Sequence, residues 1–458
     1  MVRLMDSMAT THSLAGLFSD QSVLQAMLDF EIALARCEAS CGIIPESASK
    51  VITNAVQAGG FDPAALAEDT LRSGTPAIPF VKALTELVRA KDSAAAGFVH
   101  WGATSQDVTD TALVLLLKQA WLILQPDLDR LEQALRRLAH EHENTVILGR
   151  TLLQSAPPVT FGLKAAGWLG AIHRSRNRLA QGFQETLVLQ FGGASGTLAA
   201  LGSRGIEVGD ALAAELGLAY PESPWHAHRD RLAALLCACG VLIGALGKMA
   251  RDISLLMQPE VGEVSEPAGE GRGGSSTLPH KHNPVGCVAA LACANRVPGL
   301  VAAFLSAMVQ EHERGLGNWH AEWPLVSGVV QSTGLAIAAM AEVAEGLTVN
   351  AARMRSNIEA TAGIVFAERA MMMLAEKLGR DQARHVLEKA SRTSTVQGRR
   401  LQEVLAGMPE VALHLSPSTL NDLEVPEKYL GVAMEFERRA LAAAESADLA
   451  DQKKPKKE

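Results

Sequence analysis

Aromatic residues are scarce in this chain: 4% of the sequence, with only two tyrosines in 458 residues. Sheets draw on aromatic and β-branched side chains, so this scarcity, set against abundant alanine and leucine, excludes a sheet-dominated fold and favours helices. Cysteine is also sparse. Six in this length do not make the disulfide framework of a small secreted domain, and Cys37, Cys41, Cys237, Cys239, Cys287 and Cys293 are expected as reduced, buried thiols. Excess positive charge is lacking as well. A net charge of −8 argues against nucleic acid or an anionic membrane as partner, while leaving room for a local basic pocket. The N-terminal stretch Met1 to Ser13 has no apolar h-region and no small-residue cleavage site, which predicts a cytoplasmic protein. The longest apolar run, Leu232 to Gly247, is short for a membrane span and is flanked by Arg231 and Lys248, so it reads as a buried core helix. His280-x-His282 stands beside no paired cysteine or carboxylate motif, and neither a metal nor another cofactor is expected.

What the chain does have is length and helical periodicity. Its 458 residues exceed one ordinary domain and can bury a sizeable core. Leu24, Met27, Leu28, Ile32 and Ala35 recur at helical spacing between Ser22 and Cys41, and Gly42 is a natural stop. Short helices are expected to about residue 115, followed by long ones near 116–143, 158–186, 229–257, 284–311 and 325–348, then a third helical segment. The domains read as 1–115, 116–350 and 351–445. The end of the chain, 446–458, offers little to pack and is expected to be disordered. Several long helices are apolar on more than one face, which one bundle cannot cover, so copies of the chain are expected to pack together.

The most informative stretch is Gly271 to Pro284, which reads Gly-Arg-Gly-Gly-Ser-Ser-Thr-Leu-Pro-His-Lys-His-Asn-Pro. Three glycines in four residues leave backbone N–H groups free to approach an oxyanion closely. Asn283 and Pro284 read as a helix N-cap and a proline at the first helical position, which sets Lys281 beside a positive helix end. Such a loop suits a site where negative charge develops on a substrate carboxylate. A solvated linker is the alternative, and the fixed offsets of Pro279, Lys281 and Asn283 weigh against it. Further segments interrupt the helices. Val99 to Thr111 reads as a loop entering a helix, with Ser105 or Asp107 as cap. The glycine-rich Gln190 to Thr197 is either a ligand contact or a tight bend between helices. Arg229-Asp230 offers a substrate-carboxylate anchor or a structural ion pair.

The Gly271–Pro284 loop resembles the signature of the fumarase/aspartase superfamily, Gly-Ser-Ser-x-Met-Pro-x-Lys-x-Asn-Pro, with Leu278 replacing the methionine at similar volume. The resemblance extends from Phe18-Ser19-Asp20 through Tyr429-Leu430-Gly431. It implies an all-α fold: an elongated helical bundle in three helical domains, assembled as a homotetramer around a central twenty-helix bundle, with each active site shared between three subunits. Ser275, Lys281 and Asn283 are the catalytic positions it implies, Ser275 as base, with His226 and His312 as back-up candidates. A serine hydroxyl is a poor base at neutral pH and needs the field of Lys281 in a closed, dry site. His100, Thr104 and Ser105 fall on the His-x-Gly-x-Thr-Ser-x-Asp motif of adenylosuccinate lyases, and Thr151 and Gln154 on their Gly-Arg-Thr-His-x-Gln segment. Arg229 and Arg314 complete the implied substrate-binding set.

Two departures narrow the reaction. Leu152 stands where adenylosuccinate lyases have histidine, and Trp319 and Trp323 stand where the serines and Glu-Arg of a nucleotide phosphate site are expected. The segments Gln190 to Gly196, Trp225 to Arg231 and Trp319 to Trp323 are similar to the lactonising branch of the superfamily, in which a substrate carboxylate adds to a double bond. Run backwards, that reaction expels a carboxylate of pKa about 4, which leaves without protonation and needs no strong general acid. The partner implied is a small-molecule polycarboxylate. A carbon–nitrogen lyase releasing fumarate from a succinyl-type substrate and a catalytically silent, crystallin-like structural protein are the alternatives.

Overall fold

The structure, a computed structural model, describes residues 4–57, 60–269, 271–274, 277–278 and 281–452. Among these it is all-α, with eighteen α-helices and two short two-stranded sheets. The long helices are Ser105–Glu141, Phe161–Thr186, Asp230–Leu256, Val285–Ala307 and Asn318–Gly346, close to the expected positions. The first begins earlier than expected because the helix entered after Thr104 continues unbroken through Pro126. Asp230–Leu256, Val285–Ala307 and Asn318–Gly346 are long and apolar enough to cross a membrane by length and composition alone, although 61% of the most apolar window of the first is buried.

The chain divides into two compact units. The first comprises Met1–Leu128, Ser175–Leu246 and Ala289–Ala338. Its core is organised by the helix Asp20–Ser40, which starts at the Ser19 cap accepting from the Ser22 N–H and stops where Gly42 takes a positive φ of 66°. Leu24, Met27, Leu28 and Leu34 of that helix pack with Phe80, Leu84, Val108, Phe191 and Leu212. The same buried face carries two acids, Glu31 and Glu38.

The second unit comprises Asp129–Arg174, Gly247–Val288 and Ala339–Glu458. It contains an unexpected antiparallel hairpin, β1 (Val146–Thr151) and β2 (Gln154–Thr160), paired from Val146↔Thr160 to Thr151↔Gln154. Pro157 and Pro158 keep this stretch out of a helix. At Gly149 any Cβ would lie 2.2 Å from the Pro157 carbonyl oxygen, so only glycine lets the strands close where the register slips. Val146 and Leu148 then anchor a core with Ile358, Phe366, Leu374 and Leu401. The last helix runs Ala433–Gln452. Residues 446–452, expected to be disordered, therefore continue a helix, in keeping with the helix formers Ala447, Leu449 and Ala450. Residues 453–458 lie outside the described residues. All six cysteines are free thiols, five of them buried.

Candidate active site

In the first unit the site grows from the loop that enters helix Ser105–Glu141. Thr104 is the N-cap: its carbonyl accepts from the Asp107 N–H at 2.9 Å, and its own N–H donates to Asp107 Oδ2 at 3.1 Å. Of the two expected caps the structure thus selects Asp107, acting back across the first turn in the manner of a capping box. The buried Asp107 carboxylate also accepts from the N–H groups of Gly192 (3.0 Å) and Gly193 (2.9 Å) and from His226 Nε2 (2.7 Å). The glycine turn is therefore built for close approach: a Cβ on Gly192 would lie 2.8 Å from the His226 ring and Pro224. His226 is held by this bond through Nε2 and is buried, whereas His312 is exposed.

Because Asp107 serves the cap, the Thr104 hydroxyl is free for another partner, and it accepts from Arg314 Nη1 at 3.0 Å. Arg314 Nη2 donates to the carbonyls of Ala194 (3.0 Å) and Gly193 (3.4 Å). Its Nε is buried without a hydrogen-bond partner among the described residues. An orphaned guanidinium donor beside a helix N-terminus is what an incoming carboxylate would satisfy. Ser105, part-buried, opens the same helix. His100 has a positive φ of 58° and donates from Nδ1 to Glu31 at 2.5 Å. Burial works against its imidazolium, but the Glu31 carboxylate outweighs burial and holds its pKa above the ordinary histidine value.

Arg229 takes the structural alternative. It is only 2% exposed, donates to Asp110 through Nη1 (2.7 Å) and Nη2 (3.1 Å), and to Glu322 through Nε (2.9 Å) and Nη2 (2.7 Å). Asp110 further accepts from Trp319 Nε1 at 2.9 Å and Gln106 at 3.0 Å. Burial would raise the Asp110 pKa, yet Arg229 holds it below the usual carboxylate range. Its fork is turned onto two carboxylates, the structural ion pair of the two alternatives, which leaves no fork end facing a substrate in this conformation.

The second unit holds the other candidates. Thr151 and Gln154 are paired across the exposed end of the hairpin, joined by Leu152 and Leu153, both at positive φ (51° and 63°). Arg150 beside them donates to both oxygens of Glu263 at 2.8 Å. Lys281 is exposed, and the Asn283 N–H donates to the Gly273 carbonyl at 2.8 Å, closing the two ends of the loop. Gly273 has φ 65°, and a Cβ there would lie 2.6 Å from the Asn283 oxygen. Ser275 lies outside the described residues, as do Ser276, Pro279 and His280. The following helix starts at Val285, one residue later than expected, with the Pro284 carbonyl as first acceptor. Its first N–H groups, Gly286 (3.0 Å) and Cys287 (2.9 Å), donate to Glu266. That carboxylate neutralises the helix end, so the positive potential expected there comes from Lys281 itself. Arg272 tethers the loop to Glu342 and approaches Glu266 at 3.7 Å.

The structure thus gathers the candidates into two groups, His100, Thr104, Ser105 and Arg314 in one unit, Thr151, Gln154, Lys281 and Asn283 in the other. Sequence reasoning missed Glu31, Glu266 and Arg272. Glu31 had a signal: an acid at helical spacing among Met27, Leu28 and Ala35 is an acid on a buried face. Among the described residues no three His, Cys, Asp or Glu side chains are grouped so as to hold a metal ion.

Comparison with known proteins gives a consistent picture. A family model described as Lyase matches residues 6–299, and one described as Adenylosuccinate lyase C-terminus matches residues 363–440. The chain is 49% identical over 442 residues to the 3-carboxy-cis,cis-muconate cycloisomerase of Bradyrhizobium diazoefficiens, covering 96% of this chain and 98% of that one. It is 49% identical over 440 residues to the enzyme of the same name from Pseudomonas aeruginosa, covering 96% of each. The crystal structure of 3-carboxy-cis,cis-muconate lactonizing enzyme from Pseudomonas putida superposes with a TM-score of 0.91 at 46% identity, over 97% of this chain and 99% of that one.

Proposed function

The chain belongs to this lyase family, and we propose that it is a cycloisomerase that interconverts 3-carboxy-cis,cis-muconate and 4-carboxymuconolactone. The observation that carries the reaction is near-half identity to cycloisomerases over almost the whole chain. Arg314, with a buried unpartnered Nε beside the Thr104 hydroxyl, supports the polycarboxylate substrate. His100, Ser105, Thr151 and Gln154 are proposed to grip the remaining carboxylates.

In the lactonising direction one substrate carboxylate oxygen bonds to an alkene carbon, and the electron pair of the double bond moves onto the neighbouring carbon. That carbon lies next to another carboxylate, so the intermediate is an aci-carboxylate with two negative charges on one group. Lys281, the Asn283 amide and loop N–H groups stabilise it. The Ser275 hydroxyl gives the proton that quenches the carbanion, and in reverse its alkoxide takes that proton back as the carboxylate leaves. A leaving group with a pKa of about 4 needs no acid, which is why Leu152 is compatible with this reaction. We propose further that the enzyme is a cytoplasmic homotetramer in which three subunits complete each site.

The test is an ultraviolet assay with 3-carboxy-cis,cis-muconate, with the product identified by NMR. Loss of the diene absorbance with formation of the lactone is expected, and Ser275→Ala should abolish turnover while the tetramer persists. No conversion by a well-folded tetramer would turn the search to succinyl-type substrates and fumarate release. Normal turnover by the alanine variant would remove Ser275 from the mechanism.

A further inference from the structure

The helix Asp20–Ser40 buries two glutamates seven residues apart on its core face, and they are treated differently by their surroundings. Glu38 is fully buried, and neither of its side-chain oxygens has a hydrogen-bond partner among the described residues. Glu31 is 2% exposed and accepts from His100 Nδ1 at 2.5 Å. A carboxylate is taken out of water at large cost unless a donor or cation meets it, so Glu31 and His100 answer each other's burial. The backbone also yields to this contact. His100 sits at φ 58°, a left-handed conformation that a residue with a Cβ adopts rarely, and it does so two residues after the short helix Ala95–Phe98 and just ahead of the Thr104 cap. A residue strained into place, part-exposed, and tied on one ring nitrogen has its other nitrogen free. Among the described residues no hydrogen bond engages His100 Nε2.

From this geometry we propose that Glu31 is a positioning residue for the reaction: it fixes His100 through Nδ1, so that Nε2–H is presented to a substrate carboxylate. The proposal rests on the reading of His100 as a substrate-binding residue. Glu31 sets the orientation of the ring and favours its imidazolium form, in which Nδ1–H meets Glu31 and Nε2–H is left to donate. The groups facing the ring act in the same direction. Glu31 raises the pKa of the imidazole against its burial, and Asp107, across the loop, adds to that effect. Glu38 lies beyond Glu31; burial pushes its carboxyl up to about 9, so it is neutral near pH 7 and leaves Glu31 as the charge that His100 answers. Arg314 reaches the same loop at Thr104 and completes a pair of donors, one imidazolium and one guanidinium, for a polyanion.

Glu31→Gln keeps the shape and an acceptor for Nδ1–H but removes the charge. In assembled, folded protein it is expected to lower kcat/KM by about tenfold or more, and to move the alkaline limb of the kcat/KM profile to lower pH, because the imidazolium is then lost earlier. Glu31→Asp keeps the charge and is expected to keep the limb near its wild-type position. An unchanged kcat/KM and an unchanged limb in Glu31→Gln overturn the proposal. His100→Asn separates the two readings: if it lowers kcat/KM while Glu31→Gln does not, Glu31 loses its role and His100 keeps its own, and if neither matters, His100 is not in the substrate site. Where Glu31→Gln fails to fold, the wild-type enzyme carries the test. Diethylpyrocarbonate acylates the neutral ring, so mass-mapped labelling of His100 should have its midpoint at higher pH than labelling of exposed His312. Coincident midpoints overturn the proposal.

Discussion

Arg229 and Glu38 show how two buried ionisable side chains are handled in opposite ways. Arg229 spreads one cation over Asp110 and Glu322 and stacks its guanidinium 4.6 Å from the centre of the Trp225 ring. Arg229→Met should leave two carboxylates facing each other in the core and cost about 3–5 kcal/mol in urea denaturation. A variant with wild-type stability and a raised KM would instead return Arg229 to the substrate. Among the described residues no cation pairs with Glu38. Burial, reinforced by nearby Glu31, raises its pKa from 4.5 to about 9, so the folded chain holds a proton that the unfolded chain releases across that window. Its contribution is full below pH 4.5 and is lost progressively as pH rises to about 9. Glu38→Gln removes this linkage. It should gain about 1–3 kcal/mol relative to wild type at pH 8, with little gain at pH 4.5; equal gains at both pH values would show that Glu38 does not titrate in the folded chain. At this scale the sequence was only partly legible. The family resemblance singled out Thr104 and Arg314 as candidates, but whether Arg229 faced substrate or carboxylates depended on Asp110 and Glu322, 119 and 93 residues away along the chain.

Long helices were readable because their apolar periodicity is local, and one start was obscured because its capping is settled by a distant group. Glu266 taking the first N–H groups of helix Val285–Ala307 is such a case, being 20 and 21 residues upstream of the groups it holds. The β1–β2 hairpin was missed for the opposite reason. Its turn lacks the Asn-Gly or Asp-Gly signature that a two-residue turn with both φ positive normally carries, and has Leu152-Leu153 instead. Leucine in the left-handed region costs about 1–2 kcal/mol per residue, and Leu152 is 96% exposed, so nothing in the hairpin's own packing repays that strain. Strain of this kind at an exposed tip points to use of the tip. Replacing the pair by Asn-Gly should raise stability by about 1–2 kcal/mol in equilibrium denaturation and lower kcat/KM for 3-carboxy-cis,cis-muconate. A stabilised variant with full activity would make the leucines a tolerated accident and would remove Thr151 and Gln154 from the substrate set.

For the molecule as a whole, the helix Val285–Ala307 poses the question that a single chain leaves open. Only 28% of its most apolar window is buried, and Val288 and Leu305 stand 48% and 44% exposed. Helix Asp230–Leu256 likewise exposes Val241 at 51%. Helices apolar on all sides need cover on all sides, and in a chain with a net charge of −8 that cover is best supplied by identical helices of other copies. Lysine at Val241 and Leu305 together should therefore shift the protein from the proposed tetramer to smaller species in sedimentation velocity. The consequence for catalysis follows from the two groups of candidates. If Arg314 and Thr104 of one copy work with Lys281 and Ser275 of others, dissociation must remove turnover even though every side chain of the site is intact. Activity and tetramer should then disappear together as the protein is diluted or the interface is charged, and mixing Ser275→Ala with an Arg314→Ala variant should restore part of the turnover that neither shows alone. Full activity in a dissociated, folded species, or no complementation in mixed tetramers, would mean that each chain completes its own site, and the exposed apolar helices would then serve assembly alone.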